Sequence, residues 1–270
     1  MHYTEYKHSD PALVREMVET FPFATIIANG PDGPVTAQAP LTFRDGSGAA
    51  GAVEFHLAIA NPITDRLASG EPITVMVHGP GAHVSPTWFS ASFPTPTSER
   101  NRTAPTYNYV SLAMGGRVKH RDDQALQVQI GDLVFANEGP DGWRLDELAP
   151  ELWDGWRGAI RLYRIEITRF DLTAKLSLGD VPEDRPGVVD GLRRRGIQDD
   201  QAMALLVDGF AAGSGSLTAG LRALRMPPAR HSRLARRARG EGRSAHDGPS
   251  STPIPVGIDP RTAAGLAMHA

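Results

Sequence analysis

Glycine and proline constrain this chain more than any other feature: 28 glycines and 22 prolines break its 270 residues into short apolar runs bounded by turns. Such punctuation favours strands over long helices. Phe23–Ala28 is followed by Asn29-Gly30-Pro31-Asp32-Gly33-Pro34 and then by Val35–Phe43, with Val35, Ala37, Ala39 and Leu41 on alternate positions. That pattern predicts a hairpin. Asp45–Gly51 is a second turn, and Ala52–Ala58, Ile73–Val77, Tyr107–Val118 (broken at Gly115-Gly116) and Ala159–Phe170 read as further strands. Helices are expected from Ser9 or Asp10 to Pro22, in a short piece starting at Asn61-Pro62, and over Asp122–Phe135, Pro186–Arg195 and Asp199–Phe210. Phe89–Pro105 has no periodicity and reads as a long loop. Strands in this order, without βαβ alternation, predict an α+β domain around a β-barrel rather than a doubly wound sheet.

Charge divides the chain. Residues 222–243 carry eight arginines against the single acid Glu241, while the net charge is −3, so residues 1–221 are strongly acidic. The Arg-rich run offers weak, salt-sensitive nucleic-acid binding by counterion release. It has no interleaved aromatics for base stacking, so a solvated tail is the competing reading. Residues 227–270 are too poor in apolar side chains to offset ordering entropy and are expected to be disordered. The expected organisation is therefore a domain over 1–195, a short helical extension over 196–226 and a basic tail over 227–270.

There is no cysteine, which removes disulfides, thiolate metal sites and cysteine nucleophiles. No apolar run is long enough to span a bilayer and Met1–Asp10 lacks the pattern of a signal peptide, so a cytoplasmic protein without membrane contact is expected. No P-loop, dinucleotide fingerprint, nucleophile elbow or His-Glu-x-x-His appears, leaving kinase, hydrolase and metalloprotease readings unsupported.

Four ordered segments carry a family resemblance: His56-Leu57-Ala58-Ile59-Ala60-Asn61-Pro62; Val77-His78-Gly79-Pro80-Gly81-Ala82-His83-Val84-Ser85-Pro86-Thr87-Trp88-Phe89; Ala104-Pro105-Thr106-Tyr107-Asn108-Tyr109; and Ala174-Lys175-Leu176-Ser177 with Asp184-Arg185-Pro186-Gly187-Val188-Val189-Asp190-Gly191-Leu192. Together they resemble the PaiB-like proteins, FMN-binding negative transcriptional regulators. The resemblance implies a flavin-reductase-like split β-barrel with flanking helices, a homodimer, and FMN. A divergent branch of the same family, the piperazate synthases, uses haem b to close an N–N bond within N5-hydroxyornithine, and this is the alternative the resemblance implies: a haem-dependent enzyme with a small-molecule substrate. The chain departs from the family pattern at Gln38 (commonly His), His83 (commonly Tyr), Tyr107 (commonly Trp) and Leu178-Gly179 (commonly Gln after Lys-Leu-Ser).

Each candidate has a functional and an ordinary reading. His56 in an apolar strand is either a satisfied core histidine or a cofactor contact, with axial haem ligation as the alternative. Asn61-Pro62, opening a helix, suits an anion. The turn Gly79-Pro80-Gly81 would bring His78 and His83 toward one point, but no carboxylate at ligand spacing supports a non-haem metal. His56 and His83 are the candidate catalytic residues. Ser85, Trp88, Thr106, Asn108 and Tyr109 offer the apolar wall and polar edges that a flavin or haem pocket needs. Lys175 and Ser177 suit a phosphate or carboxylate, against the plain reading of an exposed strand-end lysine.

Overall fold

The computed structural model describes residues 4–177, 181–211 and 216–225. The expected disordered tail and the Leu178-Gly179 departure lie outside these residues. Strand β1 (Lys7–His8) precedes helix α1 (Ala12–Thr20), with Asp10 Oδ1 accepting the Ala12 N–H at 2.9 Å and Pro11 in the first turn. Then come β2 (Phe23–Gly30), β3 (Gly33–Pro40), β4 (Thr42–Arg44) and β5 (Ala52–Ala58). Helix α2 (Thr64–Ala68) leads to two long strands, β6 (Pro72–Val84) and β7 (Thr106–His120). Helices α3 (Asp123–Glu138) and α4 (Pro150–Ala159) follow, then β8 (Ile160–Glu166), β9 (Arg169–Lys175), α5 (Arg185–Arg195), α6 (Asp200–Ala211) and α7 (Leu217–Leu224).

Every pairing is antiparallel, in the order β3-β2-β6-β7-β8-β5-β4, with β9 between β7 and β1. Strand β7 is the shared member. Its first part pairs with β6 and β9, and Val118–His120 pair with β8. The crossing explains Gly115-Gly116, which do not break the strand as expected. A Cβ at Gly115 would fall 2.5 Å from Arg169 Nε, and one at Gly116 would overlap the Glu166 carbonyl, so only glycine lets the β8–β9 turn approach this closely. The same geometry splits two expected strands. Val35–Phe43 becomes β3 and β4, parted at Leu41, whose N–H bonds Pro22 O at 2.8 Å, and Ala159–Phe170 becomes the end of α4, then β8 and the start of β9. A single alternating run hides such corners because both halves keep period two.

The sheet interior holds Ile26, Val75, Val77, Leu112, Leu172, Phe55, Tyr163 and Ile165, all essentially inaccessible. Each contributes about 1.5–3 kcal/mol on burial. Helix α7 lies on α1, where the buried Glu16 accepts from Arg222 Nε at 2.8 Å and from Arg225, which also pairs with Glu19. Two arginines of the basic run are thus used within the body. Among the described residues no helix is long and apolar enough to cross a membrane.

Candidate functional site

Lys175, the last residue of β9, sits opposite Tyr109 of β7, so the expected lysine beyond a long strand lies instead within a central pairing. Its side chain is buried, its ammonium donates to Thr106 Oγ1, and no carboxylate forms an ion pair with it among the described residues. The Tyr6 ring, 5.8 Å from Nζ, covers it. Two residues on from each member of that pair, Asn108 donates through Nδ2 to Ser177 Oγ at 2.9 Å, and both side chains are buried. Asn108 Oδ1 has no hydrogen-bond partner among the described residues, in an environment where an unmet acceptor costs about 1–3 kcal/mol. Ser177 holds φ 57°, the left-handed region a non-glycine residue adopts at about 1–2 kcal/mol. The structure therefore brings four candidates, Thr106, Asn108, Lys175 and Ser177, to the joined ends of two strands 69 residues apart.

Gly79-Pro80-Gly81 does not form the expected turn. It is a bulge inside β6, where the register shifts between His78, opposite Ser111, and Gly81, opposite Tyr109. Because the bulge resets the alternation, His78 and His83 both stay on the exposed side but lie along one strand and do not converge. Among the described residues there is no group of three or more His, Asp or Glu that could hold a metal ion. His83 pairs with Tyr107, whose half-exposed ring lies against Gly81, so a Cβ there would be 2.9 Å from Tyr107 Cε1. His83, Tyr107, Tyr109 and Lys175 thus lie at one end of one sheet face.

His56 is elsewhere. It belongs to β5, three places from β6 in the sheet order. Helix α3 crosses above it, and Gln129, fully buried, accepts from His56 Nδ1 at 2.8 Å through Oε1 and donates to Thr42 Oγ1 at 3.1 Å. An amide oxygen only accepts, so Nδ1 is the donor of this pair, and in the neutral imidazole Nε2 keeps its lone pair. Asn61 Oδ1 accepts the Ile63 N–H at 3.1 Å beside the exposed Pro62, capping the turn into α2, which is only five residues long.

Ser85 and Trp88 have structural employment. Ser85 Oγ accepts the Thr87 N–H at 3.2 Å and caps the turn Pro86–Trp88. Trp88 is seated by α5, where side chains at Gly187 or Gly191 would overlap its backbone and ring. Asp184, buried, ties the same loop down by accepting from Ala91 N at 2.8 Å, Ser92 N at 2.9 Å and Ser92 Oγ at 2.5 Å. The Asp184–Leu192 motif is therefore a packing device for the Ser85–Phe89 segment. Sequence reasoning missed Arg195 and Asp200. Arg195 lies 5.0 Å over the Trp88 ring, donates to His83 O at 2.9 Å and grips Asp200 at 2.7 and 2.6 Å. These bonds hold the Asp200 carboxyl below its ordinary range and the Arg195 guanidinium above its own. A cation just before Gly196 with an acid opening the next helix was the available signal.

A family model described as "Putative FMN-binding domain" matches residues 1–169. The chain belongs to this family. Its cofactor is FMN, and the fold is a flavin-reductase-like split barrel. A curated relative from Bacillus subtilis (strain 168), protease synthase and sporulation protein PAI 2, is 23% identical over 207 residues, spanning 75% of this chain and 94% of that one. Among solved structures, the flavocytochrome Anf3 from Azotobacter vinelandii is similar in fold, with a TM-score of 0.50 and 14% identity over 64% of this chain and 71% of that one. The residues at the β7–β9 end fit the cofactor of this FMN-binding family: among the described residues, the buried ammonium is bonded only to a hydroxyl, which suits a phosphate, and Asn108 Oδ1 is unmet, which suits a hydroxyl donor.

Proposed function

We propose that this member of the FMN-binding family binds FMN at the β7–β9 end and serves a regulatory or small redox role. The observation that carries the site is Lys175, a buried cation that answers a hydroxyl rather than a carboxylate. Lys175 and Thr106 would hold the phosphate, Asn108 and Ser177 the ribityl hydroxyls, with Tyr107, Tyr109 and His83 along the ring. Bound FMN supplies electron transfer, and this chain's residues bind it, orient it and screen it from water. The PAI 2 relationship supports the regulatory side of the reading. Fluorescence titration with FMN tests the site: saturable quenching that Lys175→Met weakens is expected, and equal affinity in both proteins would remove Lys175 from the site.

A second reading, haem b on His56 in an enzyme of the piperazate-synthase type, is favoured by one observation. Gln129 fixes the Nδ1–H tautomer and leaves Nε2 free, the arrangement in which histidine ligates iron. Reconstitution with haemin should then give a Soret band that His56→Ala loses, and an unchanged band would discard His56 as the ligand.

A homodimer is supported by the apolar side chains that α3 and α4 leave uncovered, Val128, Phe135, Leu152 and Trp156. Equilibrium sedimentation should give twice the chain mass, and a single-chain mass would refute the dimer. Any nucleic-acid contact through residues 222–243 would fall to the arginines from Arg230 onward, since Arg222 and Arg225 are paired with Glu16 and Glu19. Binding that persists after removal of residues 226–270 would exclude that contact.

A further inference from the structure

Arg195 does more than close a helix. Placed by Gly196, which ends α5 in the left-handed conformation at φ 60°, it meets α6, β6 and the Trp88 turn at once. Asp200, whose side chain is almost wholly inaccessible, takes Nε and Nη2 at 2.7 and 2.6 Å and is itself held by the Ile197 N–H at 3.1 Å. Asp199 Oδ2 accepts the Gly81 N–H at 3.1 Å, fastening the start of α6 to the β6 bulge. So anchored, the guanidinium donates to His83 O at 2.9 Å and presents Nη1 to His83 Nδ1 at 3.4 Å.

A guanidinium has five donors and no acceptor. The nitrogen facing it must accept, which places the proton of the neutral imidazole on Nε2. We infer that Arg195 is a positioning residue that holds His83 as the Nε2–H tautomer, making His83 an N–H donor to an acceptor-bearing ring edge at the outer face of β6 and β7. This deepens the FMN reading and rests on it for the identity of the ligand. His83 and His56 are then set for opposite tasks: Gln129 leaves His56 a lone pair at Nε2, and Arg195 leaves His83 a proton there. His83 is thereby poorly suited to bind iron, because freeing its Nε2 would aim an N–H at the guanidinium.

Long-range ¹H–¹⁵N spectra of the full chain without cofactor read the tautomer directly. His83 is expected with Nδ1 unprotonated and Nε2 protonated, and Arg195→Met should yield a mixture of tautomers. Arg195→Lys keeps a cation beside Asp200 without the planar fork, so it guards against a folding defect and should release the tautomer likewise. In FMN titrations of the same proteins, loss of one oriented donor should weaken affinity about three- to tenfold in Arg195→Met and in His83→Asn. His83→Gln, whose amide N–H₂ reaches the Nε2 position, should stay within about twofold of the parent. A His83 Nδ1–H tautomer in the parent, a tautomer unmoved in both Arg195 variants, or equal losses in His83→Gln and His83→Asn would overturn the inference. If the parent takes up no FMN, the ligand assignment fails, while the spectra still decide whether Arg195 sets the tautomer.

Discussion

His56 and His83 occupy strands of the same antiparallel sheet, yet their surroundings treat them in opposite ways. Over His56 lies a helix, and a fully buried glutamine relays its proton-bearing nitrogen to Thr42. Beside His83 lies a helix end, and an arginine clamped by a buried aspartate faces the corresponding nitrogen. Burial differs as well, half-buried for His56 and exposed for His83. The difference teaches that a histidine's chemistry in this barrel is set by elements outside the sheet. The strand fixes only which face the ring leaves from, and the covering element decides which nitrogen carries the proton.

The comparison can be broken at several points. The largest effect is expected from Gly191→Leu, because a side chain there must displace the Trp88 ring on which the His83 region rests. Overpacking of this kind should cost about 3 kcal/mol, read as a lowered midpoint in urea unfolding, with the His56–Gln129 imidazole signals unchanged. A coordinated change at both histidines would show that the two regions are not independent.

Next comes Lys175→Met. Removing a charge-assisted contact to a phosphate should weaken FMN binding about 10- to 100-fold, with little change in unfolding, since among the described residues the ammonium has no carboxylate partner to strand. Titration by flavin fluorescence measures it, and a large stability loss without an affinity change would make Lys175 a structural residue.

Gln129→Leu should cost about 1–2 kcal/mol by leaving His56 Nδ1 and Thr42 Oγ1 unmatched, again by urea unfolding. Its companion expectation is spectroscopic: His56 should lose its tautomer preference while His83 keeps its own. Neutral stability in this variant would mean that water or a shifted hydroxyl replaces the relay.

The smallest effect concerns pH. The Arg195 hydrogen bonds, followed by burial acting in the opposite sense, leave the Asp200 carboxyl below its ordinary value of 3.8 in the folded protein. A carboxyl depressed in this way adds stability above that value, and the contribution disappears as pH falls through the folded pKa. Acid unfolding should therefore show a component below about pH 4 that Asp200→Asn removes. An identical acid profile in the variant would mean that other carboxylates carry the transition.

Alternating apolar residues and glycine-rich turns made the strands legible, because period two reports which side of a strand is buried wherever the strand ends up. The ordered segments around His56, His83, Asn108 and Lys175 made the family legible for the same local reason: each is a contiguous stretch. Convergence was not legible. Thr106 meets Lys175, and Asn108 meets Ser177, across 69 residues, and only the β7–β9 pairing sets that distance. Gly79-Pro80-Gly81 looked like a turn because its φ-permissive residues also permit a bulge, and the choice was made by pairing with β7. Arg195 and Asp200 left only a faint local signal around Gly196 and Gln129 left none, since their contacts with His83, Trp88 and His56 are specified by position in space and not by neighbours in the chain.

What the sequence determined by itself is therefore local: where strands run, where glycine is needed, and the acidic body with its basic end. What the tertiary structure decided is which polar groups share a site and which partner faces the Nδ1 of His56 and of His83. The physical reason is range. Periodicity and turn chemistry act over a few residues, whereas hydrogen bonds and burial act over a few ångströms, and only folding converts one distance into the other.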